Sequence, residues 1–93
     1  MTMTDIIRDK LTAAFAPEAL DVADDSAKHA GHAGARPGGE THFSVRIVSN
    51  AFAGLSRVER QRRVYAALAD ELKASVHALS LTTLTPAEMW HEH

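Results

Sequence analysis

The sequence predicts an α+β domain in which helices cover one face of a three-stranded mixed sheet. Its apolar residues recur first at helical spacing and then at a period of two, in the order helix, strand, strand, helix, strand, helix. A hairpin followed by a helical crossover to a third strand gives a two-layer sandwich whose other sheet face stays open. The 93 residues suffice for one modest core, so we expect a single domain over 1–93.

The first helix is predicted over residues 4–15. Ile7, Leu11 and Phe15 lie four residues apart and form one apolar stripe, and Thr4 is the predicted N-cap. This spacing is typical of an amphipathic helix that packs on a core.

The main helix is predicted over residues 57–73, and a short terminal helix is predicted to begin at Pro86. Proline fits the first position of a helix, and this last helix carries Trp90. The apolar stripe of the main helix consists of Val58, Val64, Tyr65, Leu68, Ala69 and Leu72.

Three segments with a period of two predict the strands, over residues 20–24, 41–49 and 75–82. The second is the clearest, because HFSVRI alternates polar and apolar residues without a break. In the third, His77 shares a face with Leu79 and Leu81.

A mobile loop is expected over residues 24–40, where four glycines and a proline interrupt the hairpin. Hairpin loops usually have about two to five residues, and longer ones in small domains are usually functional or disordered. The loop contains His29 and His32, and His42 begins the next strand.

The composition excludes several classes of function. The chain has no cysteine, so a thiolate nucleophile, a disulfide and a cysteine metal site are all excluded. No apolar run approaches the roughly 20 residues of a membrane span, and MTMTDIIRDK is not a signal peptide, so we expect a soluble cytoplasmic protein without membrane contact. The sequence has no nucleophile elbow and no phosphate-binding loop, so we do not expect an enzyme.

Several motifs, in order along most of the chain, resemble those of the BolA-like proteins. They are AFAP, a D-x-S-x-x-H loop, GGETHF, VSNAFAGLSRVERQRRVY, LADEL, VHALSLTT and TPAEMW. The resemblance implies an α/β fold like a type II KH domain without its GxxG loop. The chain departs from the family in two places: many members read R-H-R where it has Arg60, Gln61 and Arg62, and its loop is longer, with an additional histidine, His32.

The resemblance also implies a metal site shared with another protein. Family members pair with monothiol glutaredoxins around a bridged [2Fe–2S] cluster, to which the glutaredoxin and glutathione supply thiolates. The VHAL histidine, His77, is the family's ligand position, and a loop histidine accompanies it. His29 matches the loop position best and His32 is the reserve, while the isolated chain is expected to hold no cofactor.

The residues alone leave other interpretations of these histidines open. His77 fits a histidine at the edge of the core with hydrogen-bonded nitrogens, and His29 and His32 fit a solvated loop. Read as a zinc motif, H-A-G-H is weak, since it supplies two of the usual four ligands.

A basic cluster in the main helix is a second candidate site. We predict that Arg60 and Arg63 lie on the polar side of the helix, that Arg57 and Arg62 flank the apolar stripe, and that Arg46 adds to the cluster from the open sheet face. Such guanidinium groups can contact phosphates, and the family resemblance implies duplex DNA binding and transcriptional regulation for some members.

The alternative for this cluster is a solvated helix face whose arginines pair with nearby acids. The chain offers Glu59, Asp70 and Glu71 for such pairs. The net charge of −2 gives no global field that would attract nucleic acid, so DNA binding depends on the local patch.

Overall fold

The computed structural model describes residues 2–24, 42–74, 76 and 78–90. The sheet order is β1-β2-β3, with β1 antiparallel and β3 parallel to β2, which confirms the predicted three-stranded mixed sheet. The elements are α1 (Met3–Phe15), β1 (Ala19–Asp24), β2 (His42–Val48), a 3₁₀ turn (Asn50–Phe52), α2 (Arg57–Ala67), α3 (Ala69–Ala74), β3 (Ala78–Leu84) and α4 (Pro86–Trp90).

Helix α1 begins two residues earlier than a cap at Thr4 would require. Thr2 Oγ1 accepts a hydrogen bond from the Asp5 backbone N–H at 3.1 Å, and the Asp5 carboxylate accepts one from the Thr2 N–H at 3.2 Å. This reciprocal capping box satisfies two backbone donors, so the prediction of Thr4 as the cap was wrong. The predicted apolar stripe is confirmed, with Ile7 and Leu11 fully buried.

The main helix is divided at Leu68 into α2 and α3. Leu68 has φ −107° and ψ 19°, outside the helical range, yet its N–H still bonds to Val64 O. Val64 and Leu68 are buried as predicted, whereas Val58 and Tyr65 are 58% and 40% exposed. The predicted stripe was therefore too wide, because the buried line of α2 runs through residues 60, 64 and 68.

The core lies between the helices and one face of the sheet. Phe43, Val45 and Ile47 of β2 face it, as predicted, and Leu79 and Leu81 of β3 pack at its border. The opposite sheet face is open. Its exposed residues are Asp21, Ala23, His42, Ala78, Ser80 and Thr82.

Ser49 joins α1, β2 and β3 where the helix ends. Its side chain is buried, its Oγ donates to Phe15 O at 2.6 Å and accepts from the Ala51 N–H, and its N–H donates to Leu84 O at 2.9 Å. Buried polar groups need partners, and the Ser49 hydroxyl finds one at the end of α1 and one in the 3₁₀ turn. It therefore holds these two elements together.

Replacing Ser49 with alanine is expected to lower the free energy of unfolding by about 1–3 kcal/mol, because Phe15 O loses its donor in a partly buried place. Urea unfolding followed by circular dichroism measures the change. Ser80→Ala on the open face is the control and should lie within about 0.5 kcal/mol of the parent. Equal stabilities of the two variants would contradict this role for Ser49.

Candidate functional site

The strand ends that flank the predicted ligand segments in the sequence lie at one end of the sheet. Asp24 at the end of β1 pairs with Phe43, and His42 at the start of β2 pairs with Ala78 at the start of β3. We call this end of the sheet, marked by Asp24, His42 and Ala78, the loop end. The predicted ligands His29, His32 and His77 lie outside the described residues.

The sequence order connects all three predicted ligands to the loop end. Residues 25–41 follow Asp24 and precede His42, and His77 directly precedes Ala78. His42 itself is exposed and lies on the face opposite Phe43, as the alternation predicts. The flanking residues of the two ligand segments are thus neighbours on adjacent strands.

Val76, which lies shortly before β3, is fixed by contacts that involve α3 and α1. Val76 is buried and its N–H donates to Glu71 O at 2.8 Å. The Glu71 carboxylate lies 2.8 Å from Lys10 Nζ, and this hydrogen bond raises the pKa of Lys10. Val76, the residue before the predicted ligand His77, therefore bonds directly to α3, and Glu71 of α3 pairs with Lys10 of α1.

Arg60 does not lie on the polar side of the main helix, so that prediction was wrong. The residue is 8% exposed, because position 60 continues the buried line that also holds Val64. Its Nε donates to Leu55 O at 3.0 Å and its Nη1 to Thr83 O at 3.2 Å. The guanidinium also lies 6.0 Å from the centre of the Phe52 ring, within the range of a cation–π contact.

Glu88 completes the environment of Arg60. Its two carboxylate oxygens accept from Arg60 Nη1 and Nη2 at 2.5 and 3.2 Å, in the bidentate geometry of a strong ion pair. Glu88 Oε1 also accepts from the Thr85 N–H at 2.8 Å, while Thr85 Oγ1 accepts from the Glu88 N–H. The Arg60 hydrogen bonds, followed by that from Thr85, lower the pKa of Glu88 to about 2.

The spacing of Thr85 and Glu88 is a capping-box signal that the sequence already contained. The last helix was predicted from Pro86 alone, so Glu88 was missed. The ion pair between Glu88 and Arg60 joins residues far apart in the chain, so no local pattern indicated it.

The other arginines of the basic cluster remain on the surface of α2. The side chains of Arg62 and Arg63 are 74% and 53% exposed, and Arg57 is also exposed. Glu59 lies 3.9 Å from Arg62 and 3.4 Å from Arg63, so part of their charge is balanced locally. Surface pairs of this kind contribute about 0–1 kcal/mol and are easily exchanged for another anion.

Arg46 does not extend this cluster. It lies on the open face of the sheet, in register with Asp21 and Thr82, whereas α2 packs on the other face. The five predicted arginines therefore occupy three environments: the surface of α2, the buried position 60, and the open sheet face.

Two general features of the described residues bear on the site. No group of three or more histidine, cysteine or acidic side chains within these ranges is arranged to hold a metal ion. None of the helices in the described part of the chain combines the length and the apolar composition needed to span a bilayer.

The family model described as "BolA-like protein" matches residues 11–88. The chain belongs to the BolA-like family. It is 52% identical over 89% of its length to SufE-like protein 1, chloroplastic/mitochondrial, of Arabidopsis thaliana, and 48% identical over 94% to BolA-like protein 1 of Homo sapiens. It covers only 24% and 60% of those two proteins.

A bacterial relative and two solved structures extend the comparison. The DNA-binding transcriptional regulator BolA of Escherichia coli (strain K12) is 43% identical over 95% of this chain and 80% of its own length. The BolA domain of SufE1 from Arabidopsis thaliana has a TM-score of 0.82 at 49% identity, covering 95% of this chain and 96% of that one. BolA1 from Mus musculus has a TM-score of 0.80 at 41% identity, covering 97% and 69%. The BolA-like fold is thus confirmed.

The ion pair predicts a specific dependence of stability on pH. The pKa of Glu88 is about 2 in the folded chain and near 4.5 in a free glutamate, so its charge stabilises the fold above pH 4.5. That contribution is lost as the pH falls towards 2. The difference in unfolding free energy between the parent and Glu88→Gln should therefore be largest near neutral pH and shrink between pH 4.5 and 2.

The same Glu88→Gln change in an Arg60→Met background is the control, because no guanidinium remains to pair with the carboxylate. Chemical denaturation at several pH values measures both differences. An equal effect of Glu88→Gln in the two backgrounds at neutral pH would contradict the assigned pair.

Proposed function

We propose that this BolA-like chain is a cytoplasmic regulatory or adaptor protein, without catalysis of its own. It pairs with a monothiol glutaredoxin and co-ligates a glutathione-containing [2Fe–2S] cluster, in iron homeostasis or iron–sulfur cluster trafficking. His77 and His29 are its ligands, with His32 as the reserve. The observation that carries the proposal is that the described residues flanking both ligand segments, Asp24, His42 and Ala78, lie together at the loop end.

Chain geometry supports this pair of ligands. Two strand spacings separate β1 from β3, a distance of about 10 Å. Five Cα-to-Cα steps lead from Asp24 to His29, and an extended chain of that length spans up to about 17 Å. His29 is therefore within reach of the start of β3, which His77 directly precedes.

The donor set of the chain fits half of such a site and not a whole one. Two imidazoles can replace two thiolates on one iron of a [2Fe–2S] cluster, and this replacement raises the reduction potential. The chain has no cysteine, so the remaining ligands must come from elsewhere. A glutaredoxin thiolate and the thiolate of glutathione would supply them.

Cluster reconstitution with a monothiol glutaredoxin and glutathione tests this proposal. His77→Ala and His29→Ala are expected to change the visible absorption and circular dichroism of the shared cluster, because a nitrogen ligand is lost. His42→Ala is the matched control, since His42 is an exposed histidine at the same end of the sheet, and it should keep the parent spectrum.

The variants also decide between the two loop histidines. A changed spectrum for His32→Ala, with an unchanged one for His29→Ala, would assign the loop ligand to His32. An unchanged spectrum for His77→Ala would overturn the proposed site.

Duplex DNA binding with transcriptional regulation is the second candidate function. Two observations favour it: Arg57, Arg62 and Arg63 form an exposed basic surface on α2, and the Escherichia coli relative is named a DNA-binding transcriptional regulator. Arg60 is outside this surface, because its guanidinium is occupied by Glu88 and Thr83. The two functions use different parts of the molecule and are compatible in one protein.

Arg62→Ala with Arg63→Ala should weaken binding to a DNA duplex at all sequences tested. If each arginine contacts a phosphate, the slope of log affinity against log salt should fall by about 1 per residue. Fluorescence anisotropy at several salt concentrations measures this. Arg8→Ala, an exposed arginine of α1, is the matched control. Equal losses for the α1 and α2 variants, or no duplex binding at low salt, would refute this function.

A further inference from the structure

Strand β3 lies at an edge of the sheet, and its odd-numbered residues present their backbone groups outward. Ser49 N–H donates to Leu84 O, so the even-numbered residues of β3 direct their N–H and C=O groups at β2. The backbone groups of Leu79, Leu81 and Thr83 then point away from β2. Thr83 O confirms this direction, because it accepts a hydrogen bond from Arg60 instead of from the sheet.

Strand β3 itself lacks three features that usually prevent an edge strand from pairing with another chain. Its sequence, ALSLTTL, has no charge and no proline, and β3 pairs with β2 in continuous register without a bulge. The opposite edge strand, β1, carries Asp21 and Asp24. The two edges of one small sheet therefore differ in their protection.

Arg60 limits where a further strand can add to β3. It occupies Thr83 O, and Glu88 holds it there through two hydrogen bonds. Arg60 therefore reaches this edge near its carboxyl end. We place the added strand beside Ala78 to Thr82, away from that contact.

We propose that the β3 edge is a self-association site, where a second copy of this chain adds its own β3 antiparallel and makes a continuous six-stranded sheet. The two-fold axis passes between Ser80 and Ser80 of the second copy. Leu79 therefore pairs with Leu81 of the second copy, and Leu81 pairs with its Leu79. These two pairs exchange four backbone hydrogen bonds without using Thr83 O.

The side chains of β3 favour a second copy as the occupant. In this register Ser80 lies opposite Ser80 of the second copy, and Ala78 lies opposite Thr82, so no like charges meet across the contact. Leu79 and Leu81 are half-buried in the single chain. In the proposed dimer, more of their apolar surface on the helix side would be buried. The contact is small compared with the roughly 1,200–2,000 Å² of stable interfaces, so association should be weak and depend on concentration.

A single cysteine at position 80 tests both the contact and its register. Ser80 is exposed, and the chain has no other cysteine, so Ser80→Cys introduces one defined thiol. Directly opposed residues of a non-hydrogen-bonded pair lie about 4.5 Å apart at Cα, which a disulfide can span. Mild oxidation at high protein concentration should give a disulfide dimer, detected by intact mass and on non-reducing gels.

Thr82→Cys and Ala23→Cys are the matched controls, since both positions are exposed on the same open face. In the proposed register the two copies of residue 82 are about 14 Å apart, too far for a disulfide. Residue 23 lies on the other edge of the sheet. Ser80→Cys should cross-link at least about tenfold faster than either control, because its thiols are held at high effective concentration.

Charge at position 80 gives a second test that needs no oxidation. Ser80→Lys and Ser80→Glu should each sediment as a monomer, because like charges would face each other across the axis, while their mixture should associate. The parent chain should show a weight-average mass that rises with concentration. Equal cross-linking rates for all three cysteine variants, or a parent chain that stays monomeric up to millimolar concentration, would overturn the proposal.

Discussion

The buried guanidinium of Arg60 is the interaction on which the arrangement of this fold depends. Four hydrogen bonds connect it to Leu55 before α2, to Thr83 on β3 and to Glu88 on α4. A buried charge is costly unless it is paired and hydrogen-bonded, and here Glu88 supplies the opposite charge and four of the five guanidinium N–H groups donate hydrogen bonds. One side chain of α2 thereby fixes the end of β3 and the start of the last helix.

The hydrogen bonds of Arg60 lie at one end of the sheet, and the two ends differ in structure. At one end of the sheet, Arg60, Ser49 and the capping box of α4 satisfy the backbone groups where the strands and helices meet. At the other end, the starts of β2 and β3 and the end of β1 meet, and the segments with the predicted ligands are attached there. A rigid end opposite a long connection is how folds commonly position binding residues.

Much of the fold was predictable because its signals are local. The alternation in β2 and the spacing of Ile7 and Leu11 report directly which side faces the core. The division of the main helix at Leu68 was not predictable, since the residues on both sides continue a helical pattern and only the packing decides where it breaks. The cap at Thr2 was missed because Thr4 offered the same chemistry two residues later.

The positions of the candidate site residues were predicted with less success than the fold. Arginine in a helix is usually solvated, and the helical spacing placed Arg60 on the polar side, opposite the apolar stripe. Its burial depends on a partner that only the tertiary fold supplies. Arg46 was assigned to the correct sheet face, but the position of α2 on the other face decides that it cannot join the basic surface of that helix. The predicted ligands came from the family resemblance, and the strand register adds that His42 and Ala78, which flank their segments, are neighbours on adjacent strands.

Pulsed electron paramagnetic resonance can show whether histidines of this chain bind the iron of a shared cluster. The chain would be labelled with ¹⁵N-histidine, combined with unlabelled monothiol glutaredoxin and glutathione, and the reconstituted cluster reduced. We predict strong hyperfine couplings from two ¹⁵N nuclei of this chain, one of which is lost in His77→Ala. A reduced cluster without strongly coupled ¹⁵N would contradict the account.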